Sequence, residues 1–218
     1  MCGRATLTEP DLDRVAEALE AAPSPALRAA YRPRWNAAPG DLLCVALQGP
    51  LPRRLEQVRW GLPRAGGLLV NLRAETLSPR HGLRCAVPVD GFYEWTGPQR
   101  ARRPRWFHRP EGGLLALAAV ARETPNGLAF AVLTVASTGR VAEIHHRMPA
   151  LLPLGTAEGR AHLCAWLSGA APAPGPADPA LLAAREVSAR VNSVSFDEPA
   201  CLVEESPLQL SFEARSRG

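Results

Sequence analysis

The amino-acid sequence predicts a single domain that is built mainly from β-strands and carries two helices. Apolar runs of strand length recur along the chain and are bounded by glycine, proline or asparagine, which favour turns. Apolar residues recur at helical spacing in two segments. The length of 218 residues is enough for one domain with a buried core. We therefore place the domain at residues 2–210 and expect residues 211–218 to form a frayed tail.

The first predicted helix lies near the start of the chain. Thr8 suits the N-cap position, Pro10 suits the first turn, and apolar residues follow at helical spacing up to Leu19. We expect this helix to serve packing rather than chemistry. The second predicted helix covers residues 156–167 and is stopped by a Ser-Gly pair.

Six segments carry the pattern of β-strands. They are residues 42–47, 55–60, 85–89, 114–120, 128–135 and 186–191. Asn126 and Gly127 favour a hairpin turn between the fourth and fifth of these strands. Residues 33–40 contain two prolines and are predicted to form a loop. The proline- and alanine-rich residues 170–179 are predicted to be a surface linker within the domain.

The charge balance favours an anionic partner. The formal net charge is +4, and all 25 residues in the Lys plus Arg count are arginine. Guanidinium groups bind phosphates in a bidentate manner, which ammonium groups do not. Nucleic acid is one interpretation of this balance. The codon usage of a GC-rich genome explains it equally well.

Other features of the composition favour the reducing cytoplasm. The five cysteines are widely spaced and form neither a disulfide framework nor a Cys-x-x-Cys metal site. No apolar run reaches the roughly 18 residues of a membrane span, and the amino terminus lacks the pattern of a signal peptide. We expect a monomer without membrane association, metal or cofactor.

The amino terminus carries a reactive pair of groups if Met1 is removed. Cys2 then holds a thiol and a free α-amine on adjacent carbons, which can trap an aldehyde as an imine and close it to a thiazolidine. Imine chemistry usually employs lysine, and the sequence has none, so the α-amine must supply it. The alternative is that Cys2 has no special role.

Two further segments contain candidates for proton transfer. Glu94 stands between two aromatic residues, a setting that suits proton transfer near neutrality, although a surface ion pair with an arginine explains it equally well. In the sequence His145-His146-Arg147, adjacent histidines on a strand would face opposite sides, so we expect only one to act. The spacing suits one catalytic histidine and one phosphate contact.

Three further segments contain candidate site residues. Trp60 lies beside a loop, where it is either a core residue or a ring on which a base stacks. Asn71, Arg73 and Glu75 would share one face of an extended segment. The stretch from Arg100 to Arg109 is rich in arginines and aromatic residues, and either contacts nucleic acid or forms a solvated hairpin.

The order of several motifs resembles that of the SRAP family, the SOS response-associated peptidases, whose members include sensors of abasic sites. The motifs are Met1-Cys2-Gly3-Arg4, the Pro33–Pro39 segment, Trp60-Gly61-Leu62, Asn71-x-Arg73-Ala74-Glu75-Thr76, Val87–Trp95, His145-x-Arg147-Met148-Pro149 and Val191-Asn192. The resemblance implies a mostly antiparallel β, barrel-like α+β fold with flanking helices. Ser137 departs from the family pattern, which has asparagine there.

The resemblance also implies the site residues. The catalytic set would be Cys2, Asn71, Glu94 and His145. Contacts with DNA would come from Arg4, Pro39, Trp60, Arg73 and Arg147, with the last two arginines on phosphates and with Trp60 and Pro39 stacking or wedging.

The function that follows is covalent capture of abasic sites in single-stranded DNA through Cys2, in a cytoplasmic protein that gathers at damaged DNA. An abasic-site lyase side activity follows from the same residues if ring closure fails. Two alternatives remain open at this point. One is a cysteine peptidase that acts on its own Met1–Cys2 bond, and the other is a passive single-stranded DNA-binding protein.

Overall fold

A computed structural model describes residues 2–49, 51–98 and 101–204. This described part of the chain contains sixteen strands and four α-helices. The strands are β1 (Ala5–Leu7), β2 (Ala21–Pro23), β3 (Arg34–Ala37), β4 (Leu42–Leu47), β5 (Arg53–Trp60), β6 (Leu62–Arg64), β7 (Gly67–Leu69), β8 (Asn71–Arg73), β9 (Leu83–Val89), β10 (Gly91–Thr96), β11 (Arg103–His108), β12 (Leu115–Thr124), β13 (Gly127–Ala136), β14 (Arg147–Pro149), β15 (Leu151–Pro153) and β16 (Ala183–Glu186). The helices are α1 (Leu12–Ala18), α2 (Pro25–Ala30), α3 (Gly139–Ala142) and α4 (Ala157–Leu167).

Five strands form a closed barrel. The order is β13, β12, β9, β4 and β5, with antiparallel neighbours, and a parallel pairing of β13 with β5 closes the ring. These strands correspond to the five segments between residues 42 and 135 that the sequence predicts as strands. Helix α4 covers the outside of β9, where the indole of buried Trp166 donates to the Cys85 carbonyl at 2.9 Å. The mostly β, barrel-like α+β fold is therefore confirmed.

A second sheet carries the amino terminus. Its order is β16, β11, β10, β1 and β3, and all its pairs are antiparallel. The chain passes from barrel strand β9 to β10 through Asp90. The Asp90 carboxylate accepts hydrogen bonds from the Thr6 hydroxyl and from the Thr8 amide at 2.6 Å. This carboxylate thereby fixes β1, and with it Cys2, at the junction of the two sheets.

Gly91 allows the close packing of β10 on β11. A Cβ atom at this position would lie 2.1 Å from Nε1 of Trp106, a distance that no side chain tolerates. The same indole nitrogen donates to the Thr6 hydroxyl at 3.0 Å, so β11 and β1 are joined across β10.

Three sequence predictions about local structure are wrong. The N-cap of α1 is Asp11, which accepts from the Asp13 amide at 2.9 Å, whereas the Thr8 hydroxyl binds Asp90. The predicted loop at residues 33–40 contains β3, because an edge strand tolerates flanking prolines. The strand predicted at residues 186–191 ends at Glu186, and a 3-10 helix at Ala189–Asn192 follows.

Residues 170–179 run along the surface and are held by the rest of the domain. The Thr138 hydroxyl donates to the Ala177 carbonyl at 2.7 Å, and the Arg84 guanidinium donates to the Ala171 carbonyl. The predicted tail at residues 211–218 lies outside the described residues. No helix in the described part of the chain is both long and apolar enough to cross a membrane.

Candidate functional site

Cys2 lies at the point where the second sheet meets the barrel. The residue is fully buried and lies three positions before Ala5, the first residue of β1. The Tyr93 amide donates to the Arg4 carbonyl at 3.1 Å, and Ala5 pairs with Phe92. Continuing this antiparallel register brings the Cys2-Gly3 segment alongside Glu94. The pairing of β1 with β10 therefore joins two predicted site residues that are far apart in the sequence.

Burial and charge keep the Cys2 thiol protonated. Loss of solvent, and next the negative charge of Glu94, raise the pKa of this thiol to about 12. The thiol is therefore neutral near pH 7 in the chain that still carries Met1. It becomes a nucleophile only when a neighbouring group takes its proton.

Asn71 holds the main chain of Cys2. The Asn71 side-chain amide donates to the Cys2 carbonyl at 2.9 Å. Asn71 is fixed at the start of β8, which pairs in parallel with β13 and sets Asn71 beside Val132. Its Oδ1 atom is buried and has no hydrogen-bond partner among the described residues. One end of the amide thus orients Cys2, and the other end can accept a hydrogen bond from a bound group.

Glu94 is a buried carboxylate rather than a surface one. Its side chain lies on β10, and the residue is only 5% exposed. Arg105 is its cross-strand neighbour on β11, and the guanidinium of Arg105 lies 3.6 Å from the Glu186 carboxylate. The surface ion pair considered from the sequence is therefore not the environment of Glu94.

His145 lies in the turn between α3 and β14. Its Nδ1 atom accepts from the Arg147 amide at 3.0 Å, which assigns the ring proton to Nε2. The Ser137 hydroxyl donates to the His145 carbonyl at 2.6 Å, so the residue that departs from the family pattern also supports this turn. A histidine with a proton on Nε2 can donate a hydrogen bond through that atom.

The expectation that His145 and His146 face opposite sides is wrong. The two rings stack with centroids 4.5 Å apart, because both residues precede β14 and lie in a turn. His145 is half-buried, whereas His146 is exposed.

The two arginines predicted to contact phosphates have different environments. Arg73 is exposed at the end of β8. Arg147 is only 9% exposed, and its guanidinium binds the Glu75 carboxylate in a bidentate manner at 2.6 and 2.8 Å. It also donates to the Thr134 carbonyl. The Arg73 side chain is thus accessible to solvent, whereas the Arg147 guanidinium is engaged within the protein.

Trp60 is a core residue. Its ring is 1% exposed, lies 6.1 Å from the Phe130 ring in a stacked arrangement, and donates through Nε1 to the Val70 carbonyl at 3.3 Å. A base cannot stack on a ring without an exposed face, so this conformation contradicts a stacking role for Trp60. Pro39 is half-buried and precedes Gly40, whose amide donates to the Trp60 carbonyl at 2.7 Å.

Arg4 connects the amino-terminal segment to Asn36 and Val191 through hydrogen bonds. Its guanidinium donates to Asn36 Oδ1 at 2.7 Å and to the Val191 carbonyl at 2.6 Å, and it lies 5.8 Å from the centre of the Trp95 ring. Burial lowers the pKa of Arg4, and the charge of Asp41 opposes this. The structure therefore gives Arg4 a structural contact beside the site.

Sequence reasoning assigned no role to Asn36, Trp95 or Asn192, which form contacts around Arg4 and the segment that follows Val191. Asn36 is fully buried, and its amide donates to the Ser193 and Phe196 carbonyls at 2.9 and 2.7 Å. The Trp95 indole donates to Asn192 Oδ1 at 2.7 Å. Asn36 and Asn192 both belong to motifs of the family resemblance, which was the one available signal.

The stretch rich in arginine and aromatic residues forms the hairpin partner of β10. Within β11, the Trp106 and His108 rings stack at 4.2 Å, and the Arg185 guanidinium lies 4.8 Å from the Trp106 ring. Arg109 donates to the Leu154 carbonyl at 2.8 Å. This stretch therefore forms a hairpin with β10, which is one of the two interpretations drawn from the sequence. Arg100 lies outside the described residues.

Fold and site together define a barrel-based α+β protein whose second residue is a buried cysteine held by an asparagine and flanked by a carboxylate. Residues 1–194 match the model of the family described as SOS response associated peptidase (SRAP). The chain belongs to this family, as its motifs indicated.

Curated relatives carry the name abasic site processing protein. YoqW of Bacillus subtilis (strain 168) is 30% identical over 142 residues, which cover 56% of this chain and 63% of YoqW. HMCES of Gallus gallus is 27% identical over 235 residues, which cover 83% of this chain and 68% of HMCES. The chain thus spans somewhat less than two thirds of the length of YoqW.

Solved structures show the same fold. A protein from Bacteroides thetaiotaomicron aligns with a TM-score of 0.73 at 15% identity, covering 94% of this chain and 100% of that chain. A phage-related protein from Bordetella bronchiseptica aligns with a TM-score of 0.63 at 23% identity, covering 85% of this chain and 94% of that chain.

Proposed function

We propose that this protein captures abasic sites in single-stranded DNA by forming a covalent bond through Cys2 after Met1 has been removed. The names of the curated relatives support abasic-site processing. The observation that carries the proposal is the contact of Asn71 with the Cys2 carbonyl, together with the charge of Glu94 acting on the same cysteine. A protein that merely binds DNA has no need of this arrangement.

The proposed reaction begins at the sugar. An abasic deoxyribose is mostly a closed hemiacetal, so its aldehyde must be released before an amine can attack. The Nε2–H of His145 is suited to donate a hydrogen bond to the ring oxygen as the ring opens, while the proton of the anomeric hydroxyl passes to that oxygen through water. Glu94 then accepts the proton that the Cys2 α-amine loses as its nitrogen attacks the aldehyde carbon.

The second half of the reaction closes a ring. Loss of water gives an imine, and the Cys2 sulfur then adds to the imine carbon while the thiol proton passes to the nitrogen. The raised pKa of the thiol favours this order, since the amine attacks first and the thiol adds only after the imine has formed. The thiazolidine product retains both bonds to Cys2 and protects the strand from breakage.

Burial of Cys2 favours a single-stranded substrate. Because Cys2 is fully buried in this conformation, the segment around it must open before a sugar can reach the cysteine, and the sugar must also leave the stacked helix, which costs least where no complementary strand is paired. Exposed Arg73 is suited to a phosphate beside that sugar. In this proposal the protein acts as a monomer in the cytoplasm, at damaged DNA.

Two side activities follow from the same groups. If ring closure fails, the imine promotes β-elimination, so abasic-site lyase activity is expected without stable linkage. Removal of Met1 is required in every case, because only then does Cys2 have a free amine. Either a methionine aminopeptidase or the protein itself, acting as a peptidase, can perform this step.

The test is denaturing gel electrophoresis of the protein with single-stranded DNA that carries one abasic site. Mass spectrometry first verifies that Met1 is absent. We expect a heat-stable shifted band that disappears with intact DNA and with Cys2→Ala, and that persists in the matched control Cys164→Ala. Absence of the band with the processed protein would refute covalent capture. Retained binding on a native gel would then indicate a passive DNA-binding protein.

A further inference from the structure

We propose that Glu75 is a positioning residue that orients His145 through Arg147. The expected effect on the rate of covalent capture rests on the proposed function. The effect on the orientation of His145 can be measured without DNA. Glu75 lies in the 3-10 turn Ala74–Thr76 that follows β8, and the comparisons with known proteins assign it no role.

The first link joins Glu75 to Arg147. Both carboxylate oxygens of Glu75 accept from the guanidinium of Arg147, at 2.6 and 2.8 Å. The guanidinium reaches Glu75 by crossing β13, where it also donates to the Thr134 carbonyl and lies 3.4 Å from the Thr134 hydroxyl. Strands β8 and β14 both pair with β13 in this region, so the ion pair ties these two short strands together.

The second link joins Arg147 to His145. The same residue whose guanidinium binds Glu75 donates its main-chain amide to Nδ1 of His145 at 3.0 Å. Its main-chain carbonyl lies 3.1 Å from that nitrogen, so a modest rotation of the turn would favour a proton on Nδ1 instead. Whatever fixes Arg147 therefore selects which ring nitrogen of His145 carries the proton.

This ion pair differs from an ordinary surface pair. Isolated pairs between exposed side chains contribute little, because water screens both charges. The side chain of Arg147 is only 11% exposed, although that of Glu75 is 57% exposed, so loss of the carboxylate would leave a buried guanidinium without its counter-charge. Hydrogen bonds from Arg147 lower the pKa of Glu75 to about 2, so the carboxylate is ionised near neutral pH.

The experiment uses the full-length protein labelled with ¹⁵N in its histidines. Long-range ¹H–¹⁵N correlation spectra distinguish a proton on Nδ1 from one on Nε2, and His145→Gln identifies the signal. Glu75→Gln removes the charge, and Glu75→Asp retains it on a shorter side chain. Asp13→Asn is the matched control, since Asp13 and Arg28 form an exposed pair at 2.8 Å away from the site. Spectra are compared at one pH, because His146 and Arg73 are charged or titratable neighbours of this network.

We expect the wild type and Asp13→Asn to show the Nε2 proton, and Glu75→Gln to show a mixture. At saturating abasic DNA, we expect Glu75→Gln to form the covalent product about tenfold more slowly, with Kd for the DNA changed less than threefold. The rate of product formation in Glu75→Asp should lie between the rates of the wild type and Glu75→Gln. A pure Nε2 signal with the wild-type rate in Glu75→Gln would overturn the proposal, as would tighter DNA binding without a change in the signal. If the wild type forms no covalent product, the proposed function fails, while the spectra still decide the positioning role.

Discussion

Replacing Asn71 by alanine should slow covalent capture without abolishing the fold. The substitution removes the hydrogen bond to the Cys2 carbonyl, which has a normal length of 2.9 Å. Leaving a buried carbonyl without its donor costs about 1–3 kcal/mol. The unpartnered Oδ1 atom of Asn71 disappears at the same time, so we expect the lower part of that range. A loss of about 1–2 kcal/mol in transition-state orientation corresponds to a rate about five- to thirtyfold lower.

The assay is a single-turnover measurement with a fluorescent abasic oligonucleotide at saturating protein, quenched in denaturant and resolved on a gel. Asn126→Ala is the matched control, because Asn126 lies in the hairpin turn between β12 and β13, away from Cys2. Thermal unfolding of each variant separates lost stability from lost orientation. A rate within twofold of the wild type would refute the role of Asn71, whatever the change in stability.

Three further predictions concern stability and its pH dependence. Trp60→Ala should lower the free energy of unfolding by about 3–5 kcal/mol in urea titrations, with DNA affinity unchanged in the folded fraction; weaker DNA binding at unchanged stability would restore the stacking role. Burial raises the pKa of the Cys44 and Cys85 thiols, so their contribution to the free energy of unfolding is complete below about pH 8.5 and is lost as pH rises. The Tm of Cys85→Ala should therefore fall less between about pH 8 and pH 10 than the Tm of the wild type. Equal decreases in Tm would contradict this prediction. The ionised Glu75 carboxylate stabilises the fold above about pH 4.5, and this stabilisation is lost as pH falls to about 2 and the carboxylate is protonated. The Tm difference between the wild type and Glu75→Gln should therefore shrink across that pH range. A constant difference would count against the ion pair.

The barrel could be predicted from the sequence because its signal is local. Four of its strands contain apolar runs bounded by turn residues, and β5 alternates polar and apolar residues, which is the other pattern typical of strands. The second sheet could not be predicted in this way. Strands β1 and β3 are three and four residues long, and the pairing of Ala5 with Phe92 joins distant parts of the chain. Local periodicity contains no information about such pairings.

The same distinction applies to the site. The chemistry of Cys2 could be inferred from its position and from the absence of lysine, because it depends on two groups of one residue. The approach of Glu94 depends on the pairing of β1 with β10, and the engagement of Arg147 by Glu75 depends on how β8 and β14 flank β13. The sequence left two interpretations of Trp60 open because a tryptophan beside a loop fits both a core and a surface position, and only the packing of the ring against Phe130 distinguishes them.

The most direct test of the account is the intact mass of the product formed with a short abasic oligonucleotide, followed by mapping of the linked peptide after digestion. We expect a single adduct with the mass of protein without Met1 plus DNA minus one water, located on Cys2, stable to heat without chemical reduction. An adduct that maps to another residue, or one that survives only after borohydride reduction, would contradict ring closure by the Cys2 thiol.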